Sequence, residues 1–108
     1  MSETQQTINA WIVETFGEAG SNLSVAARAN EEMAELIMAL AVDDSHPKTV
    51  EECADIAIIL YRLAERMGQD LHAAIDRKMV TNRTRKWAVA NGHGYHVPTD
   101  CADQEAQP

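Results

Sequence analysis

Apolar residues recur along most of this chain at every third or fourth position, which is the spacing of a helix that buries one face. The pattern predicts four helices, at about residues 4–16, 23–42, 50–67 and 71–90. Turn-forming stretches separate them, with GEAGSNLS after the first helix, DDSHPK after the second and Gly68 after the third. We expect Asn22 or Ser24 to cap the second helix, and Thr49 to cap the third with Glu52 as its capping-box partner. No stretch shows the alternation of a strand, so the predicted class is all-α, a four-helix bundle-like fold.

Beyond residue 90 the composition becomes small and polar, and the closing TDCADQEAQP offers little that could enter a core. We therefore expect one all-α domain over residues 1–90 and a flexible C-terminal tail over residues 91–108. A chain of 108 residues can bury only a modest core by itself. Aromatic residues make up 5% of it, so aliphatic side chains and association with further copies must supply much of the packing.

The predicted second helix, around RANEEMAELIMAL at residues 28–40, carries carboxylates against its apolar side. On a helical wheel Glu32 falls inside the apolar arc and Glu35 lies at its edge, whereas Glu31 points further toward the polar side. Residues three apart project from the same helix face. Glu32 and Glu35 therefore form an acidic pair on the face that the helix must bury.

The predicted third helix repeats this arrangement, with Glu52 inside its apolar arc and Asp55 at the edge. If the two helices pack antiparallel across the short DDSHPK turn, four carboxylates converge. Buried like charges are unstable unless some are protonated or a cation lies among them. Hard divalent cations such as Mg²⁺ take oxygen ligands of this kind. The alternative is that all four are ordinary solvated charges.

The predicted fourth helix brings cationic and amide groups to its apolar face. Lys78, Asn82 and Arg85 share that face, where they could pair with the carboxylates or hold phosphate oxygens beside a metal. Arg83 projects elsewhere and could serve a neighbouring subunit. Trp11 could stack on a planar ring, although packing in a core or an interface is the more frequent use of tryptophan.

The formal net charge of −8 argues against binding to nucleic acid or to an anionic membrane through a basic surface. No signal segment opens the chain, and no apolar run approaches the length of a membrane span. The two cysteines, Cys53 and Cys101, have no redox or metal spacing, and Cys53 is expected to be a small buried thiol. The cytoplasm is the simplest compartment for such a chain.

Three motifs together resemble one family. EEMAE at residues 31–35 followed by ECAD at residues 52–55 resembles the EExxE…ExxD signature of the MazG-like, all-α nucleoside triphosphate pyrophosphohydrolases. KMVTNRTR at residues 78–85 resembles the Lys…Asn-Arg-x-Arg stretch that follows it in that family. The resemblance covers about residues 23–87, and the motifs occur in the family's order.

The resemblance implies a helical homodimer or homotetramer that binds Mg²⁺ or Mn²⁺. Such an enzyme converts a nucleoside or deoxynucleoside triphosphate to the monophosphate and pyrophosphate. It implies that the metal ligands are Glu32, Glu35, Glu52 and Asp55. Glu31 would either support the metal ligands from behind or orient the attacking water, and it would act with Glu32 and Glu35 in catalysis. The implied substrate contacts are Lys78, Asn82, Arg83 and Arg85, with Trp11 as a further candidate.

Several alternatives stay open on the sequence alone. AWIVETFG in the first helix resembles short members that act on purine deoxynucleotides, which favours dGTP or dATP. The phosphoribosyl-ATP pyrophosphohydrolases share the fold and the chemistry. A non-catalytic helical protein that interacts with partners or binds metal would also carry these charges. A di-iron bundle is disfavoured, because such sites use Glu-x-x-His and neither acidic pair ends in histidine.

Overall fold

The computed structural model describes residues 2–97, which form four α-helices followed by two short strands. The elements are α1 (Gln5–Phe16), α2 (Asn22–Val42), α3 (Thr49–Arg66), α4 (Leu71–Thr84), β1 (Lys86–Ala90) and β2 (His93–Val97). The predicted all-α, four-helix class is confirmed in that four helices make up most of the described chain, whereas the pair of short strands was not predicted. Within residues 2–97 we find no helix with the length and apolar character that a membrane crossing requires.

The chain forms two compact units, which divide between His72 and Ala73. The first unit contains α1, α2 and α3. The second contains α4 from Ala73 onward together with the two strands. The predicted metal ligands all belong to the first unit, so its packing decides their arrangement.

Local sequence sets the ends of α1 and α2. Thr4 caps α1 through a reciprocal capping box, and Gly17 ends the helix with a φ of 80° that glycine adopts without strain. The cap of α2 is Ser21, whose hydroxyl accepts a hydrogen bond from the Ser24 backbone N–H at 3.0 Å. The prediction of Asn22 or Ser24 as the cap was therefore wrong by one to three positions.

The start of α3 also differs from the prediction. Thr49 is its first helical residue, and Lys48 takes the cap position without a side-chain hydrogen bond. The Thr49 hydroxyl instead donates to the His46 carbonyl at 2.7 Å. The hydroxyl thus closes the turn between α2 and α3 and is not the predicted capping group. Cys53, predicted to be buried, is exposed on α3.

The apolar core of the first unit is small. Its buried apolar residues are Ile12, Val25, Ala29 and Leu36. No residue of α3 is buried, and no described side chain is completely shielded from solvent. Large apolar side chains remain exposed on α2, among them Ile37, Met38 and Val42. Apolar burial within residues 2–97 is therefore limited, and polar contacts hold much of the unit.

Gln5 is the clearest of these polar contacts, because it is buried at the start of α1. Its Nε2 donates to Glu65 Oε1 and to the Gln69 carbonyl, both at 2.8 Å. Its Oε1 accepts a hydrogen bond from the Leu71 backbone N–H at 2.8 Å. One amide side chain therefore fastens the start of α1 to the end of α3 and to the first residue of α4.

In the second unit, α4 ends at Thr84 and not near residue 90 as predicted. The following residues form an antiparallel hairpin in which Ala90 pairs with His93. Asn91 and Gly92 make its turn with φ values of 52° and 76°, the positive angles that an Asn-Gly hairpin turn requires. The predicted boundary between residues 90 and 91 falls at this turn. Residues 91–92 of the predicted tail form this turn and residues 93–97 form β2, while residues 98–108 lie outside the described residues.

We expect Gln5→Ala to lower the free energy of unfolding by about 2–3 kcal/mol, because it leaves buried hydrogen-bond partners unsatisfied. Gln6→Ala is the matched control, since Gln6 is exposed on the same helical turn and should change stability by about 0.5 kcal/mol or less. Urea denaturation followed by circular dichroism measures both. Equal losses for the two variants would contradict this role of Gln5.

Candidate functional site

Helices α2 and α3 run antiparallel, which is the condition under which their acidic pairs can converge. The Arg66 Nε at the end of α3 donates to Asn22 Oδ1 at the start of α2, at 2.8 Å. Further along α2, Glu32 lies beside Glu52 and Asp55 from the first half of α3. The acidic faces of the two helices therefore meet.

Three of the four predicted metal ligands form a tight cluster. One carboxylate oxygen from each of Glu32, Glu52 and Asp55 lies within 4.8 Å of the others. Glu32 is buried with 7% of its surface exposed, Glu52 is half-buried and Asp55 is exposed. Oxygen donors that close together, one of them out of water, suit a hard divalent cation. Glu35 lies outside this group but contacts it, because its side chain forms a hydrogen bond with Glu32.

The electrostatics of Glu32 reflect this crowding. Burial is the largest cause that raises the pKa of Glu32 above its ordinary value of 4.5, and the hydrogen bond to Glu35 is the next. The negative charges of Glu35 and Asp55 raise this pKa further, while the charge of Arg28 lowers it. The metal-free protein therefore favours a proton on Glu32 more than a solvated carboxylate would.

Arg28, one turn before Glu32 on α2, is a residue that sequence reasoning missed. Its guanidinium pairs with Glu32 at 2.5 Å and with Glu31 at 3.1 Å. Glu31 is exposed, so the predicted catalytic residue lies at the solvent side of the cluster and is oriented by Arg28. The spacing of three and four residues between Arg28 and the two glutamates was a signal in the sequence.

A cavity of about 580 Å³ adjoins the carboxylates. Trp11 and Phe16 of α1 belong to its wall, with ring centroids 5.5 Å apart and planes at 89°, an edge-to-face pair. The other lining residues are Ile12, Ala19, Ser24, Val25, Arg28, Glu32, Asp55, Ile58, Ile59 and Arg62. The cavity therefore has carboxylates in one part and apolar and aromatic side chains in another. Of the predicted substrate contacts, Trp11 lies here.

The other predicted substrate contacts lie in the second unit. Lys78, Asn82 and Arg83 are on α4, and Arg85 follows its last residue, so Arg85 is not the inward-facing helical residue that periodicity predicted. The Asn82 carbonyl accepts a hydrogen bond from the Trp87 indole at 2.8 Å. Lys78 and Arg83 are exposed, whereas Asn82 and Arg85 are half-buried. The part that these residues have in binding a substrate stays a prediction.

Comparison with known proteins shows which family has this sequence and fold. The profile of the MazG-like family matches residues 27–97, which include the acidic cluster, α4 and the hairpin. A solved structure, the cyanophage S-2L MazG-like pyrophosphohydrolase bound to dGDP and three catalytic Mn²⁺ ions per active site, matches with a TM-score of 0.72 and 35% identity. The match covers 89% of this chain and 91% of that one.

Two curated relatives carry the same name. A dATP/dGTP diphosphohydrolase of Cyanophage S-2L is 36% identical over 91% of this chain and 89% of the relative. A dATP/dGTP diphosphohydrolase of Salmonella phage PMBT28 is 30% identical over 90% of this chain, which spans 31% of that longer protein. With a family match over residues 27–97 and a relative matched over nearly its whole length, this chain belongs to the MazG-like family.

Proposed function

We propose that this chain is a divalent-metal-dependent pyrophosphohydrolase of purine deoxynucleoside triphosphates. It would convert dATP or dGTP to the deoxynucleoside monophosphate and pyrophosphate. The observation that carries this proposal is the meeting of Glu32, Glu52 and Asp55 beside a cavity walled by Trp11. The relatives named dATP/dGTP diphosphohydrolase support the substrate class.

Glu32, Glu52 and Asp55 are the residues that would hold Mg²⁺ or Mn²⁺, with Glu35 as a further ligand beside Glu32. Bound there, such ions would supply positive charge to phosphate oxygens and lower the pKa of a water. The catalytic Mn²⁺ ions of the S-2L structure support a divalent metal as the cofactor. An acidic surface can therefore accept an anionic substrate.

The chain's own residues have separate tasks in this proposal. Glu31 would accept a hydrogen bond from the attacking water, and the Arg28 guanidinium fixes its carboxylate. Attack at the α-phosphorus breaks its bond to the oxygen bridging the α- and β-phosphates, and that oxygen leaves with pyrophosphate. The cationic and amide side chains that would bind the phosphates are Lys78, Asn82, Arg83 and Arg85.

The apolar part of the cavity would take the nucleoside. Trp11 and Phe16 offer aromatic surface, and Val25, Ile58 and Ile59 offer aliphatic contact, in a space of about 580 Å³. Pockets of this size and character bury most of a small ligand. The base and sugar would thus leave water while the phosphates stay near the carboxylates.

We expect a single hydrolytic step to release pyrophosphate from dGTP or dATP. In ¹⁸O-labelled water the label should enter the deoxynucleoside monophosphate, because water attacks the α-phosphorus. Mass spectrometry of the products after partial turnover reads this directly. Label in pyrophosphate, or orthophosphate as the first product, would contradict the proposed bond cleavage.

Divalent metal should stabilise the fold, because it binds the native cluster and relieves repulsion there. We expect millimolar Mn²⁺ or Mg²⁺ to raise the melting temperature of the unmodified protein, and Glu52→Gln to abolish most of this gain. Glu51→Gln is the matched control, since Glu51 is an exposed neighbour outside the cluster. Differential scanning calorimetry measures the three proteins, and equal gains in all of them would contradict the assignment of Glu52.

The raised pKa of Glu32 predicts how the stability of metal-free protein changes with pH. The folded state holds this proton more tightly than the unfolded state, whose carboxyl has the ordinary pKa of 4.5. The contribution of Glu32 to the free energy of unfolding therefore falls as the pH rises from 4.5 through the raised pKa. In the presence of EDTA, Glu32→Gln should gain stability relative to the unmodified protein across that range. Urea denaturation at successive pH values tests this, and a constant difference would refute it.

We also propose that the chain functions as a homodimer or homotetramer. The exposed Ile37, Met38 and Val42 on α2, and the lack of buried residues on α3, support this assembly. Obligate interfaces bury apolar surface of this kind. Sedimentation velocity at micromolar concentration should give a dimer or a tetramer, and a stable monodisperse monomer would overturn the proposal.

A further inference from the structure

Four residues on one face of α3 form a stripe along the cavity, from the acidic cluster to an arginine. Asp55, Ile58, Ile59 and Arg62 are spaced by three, four and seven residues, so they share a helix face, and all four line the cavity. Seven residues of helix separate Asp55 from Arg62 by about 10 Å along the axis. The stripe is anionic at one end, aliphatic in the middle and cationic at the other end.

Arg62 is held in place but retains unused donors. It is half-buried, and its Nη2 donates to the Gly17 carbonyl at 2.6 Å. Within residues 2–97 no carboxylate forms an ion pair with Arg62. A guanidinium carries five N–H donors in one plane. A half-buried cation in a cavity wall, with one carbonyl partner, suits a ligand that brings acceptor atoms.

We infer that Arg62 determines base specificity by donating hydrogen bonds to the purine edge that carries N7. This inference rests on the proposed function for the direction of the nucleotide, with phosphates at Asp55 and the base toward Arg62. Guanine presents N7 and O6 as paired acceptors to a guanidinium, whereas adenine presents N7 beside an amino donor. Cytosine and thymine have no N7. Arg62 therefore favours purines over pyrimidines and guanine over adenine.

The surroundings of Arg62 fit a planar base. Gly17 follows Phe16, so the carbonyl that fixes the guanidinium is next to the aromatic pair of the wall. Ile58 and Ile59 precede Arg62 on the stripe and offer apolar contact to the rings and the sugar. An anchored donor binds its ligand more tightly than a mobile one, because less conformational entropy is lost when it binds.

Arg66 is an arginine on the same helix whose contacts are all structural, so it can be compared with Arg62. Its guanidinium donates to the Ala19 carbonyl at 3.2 Å and to Asn22 Oδ1 at 2.8 Å, and it lies 3.7 Å from the Glu18 carboxylate. It holds the same connection between α1 and α2 that Arg62 holds, but it does not line the cavity. Arg66→Gln is therefore the matched control for Arg62→Gln.

The test is equilibrium binding of dGMP, dAMP and 7-deaza-dGMP, measured by calorimetry with Mn²⁺ present. The unmodified protein should bind dGMP about tenfold more tightly than 7-deaza-dGMP, which lacks the N7 acceptor, and more tightly than dAMP. Arg62→Gln should bind dGMP about tenfold more weakly and lose both preferences. Arg66→Gln should lower the melting temperature and keep both preferences.

Several results would overturn the inference. Equal binding of dGMP and 7-deaza-dGMP by the unmodified protein would do so without any variant, which covers the case in which Arg62→Gln fails to fold. The inference would also be overturned if a folded Arg62→Gln kept its preference for dGMP over 7-deaza-dGMP and dAMP. Loss of that preference in Arg66→Gln would overturn it as well. If the unmodified protein shows the preferences but releases no pyrophosphate from dGTP, the proposed function fails and the inference stands. If the unmodified protein releases pyrophosphate from dGTP but binds dGMP and 7-deaza-dGMP equally, the inference alone fails.

Discussion

The burial of the Glu32 carboxylate among other carboxylates, where α2 meets α3, is the constraint on which the rest of this structure depends. Glu32 is buried next to Glu35 and within reach of Asp55, and its raised pKa records the cost of this position. Arg28 offsets only part of it, because its charge lowers the pKa while the net direction remains upward. A folded chain that retains such a group gains from a ligand that supplies positive charge. The acidic face is thus better explained by the proposed metal binding than by the packing of α2 against α3.

Polar contacts supply stability that the acidic face, which buries little apolar surface, does not supply. Gln5 fastens α1 to the end of α3, and Arg62 and Arg66 fasten the connection between α1 and α2 to α3. Each contact has a specific geometry, whereas a larger apolar core would tend to close the space between the helices. The first unit can therefore keep a cavity of about 580 Å³ beside its carboxylates while its buried apolar core stays small.

Helical periodicity was enough to predict α1, α2 and α3 and the position of Glu32 in an apolar arc. The helices and the position of Glu32 both depend on local spacing along the chain. The burial of Glu32 confirms that it lies in the apolar arc. The hairpin was missed because the helical pattern of α4 was extended to residue 90, although Asn91-Gly92 is a strong hairpin signal. Arg28 and Arg62 were missed for another reason. An arginine in a helix resembles a solvated charge until tertiary packing shows what lies beside it.

The order of residues along α3 matches the order of chemical groups in a nucleotide. A phosphate is attracted to cations, so it requires metal at the carboxylates of Glu52 and Asp55 before it can approach them. The sugar and the faces of the base require apolar contact, which Ile58 and Ile59 would provide in the proposed binding mode. The edge of a purine requires donors, which Arg62 would provide at the far end of the cavity wall. A ligand placed in the reverse direction would bring phosphate to Arg62 and leave the metal site facing a base, and it would lose both matches. In the proposed binding mode, the direction of the nucleotide along this helix face couples recognition of the base to the bond that is cleaved.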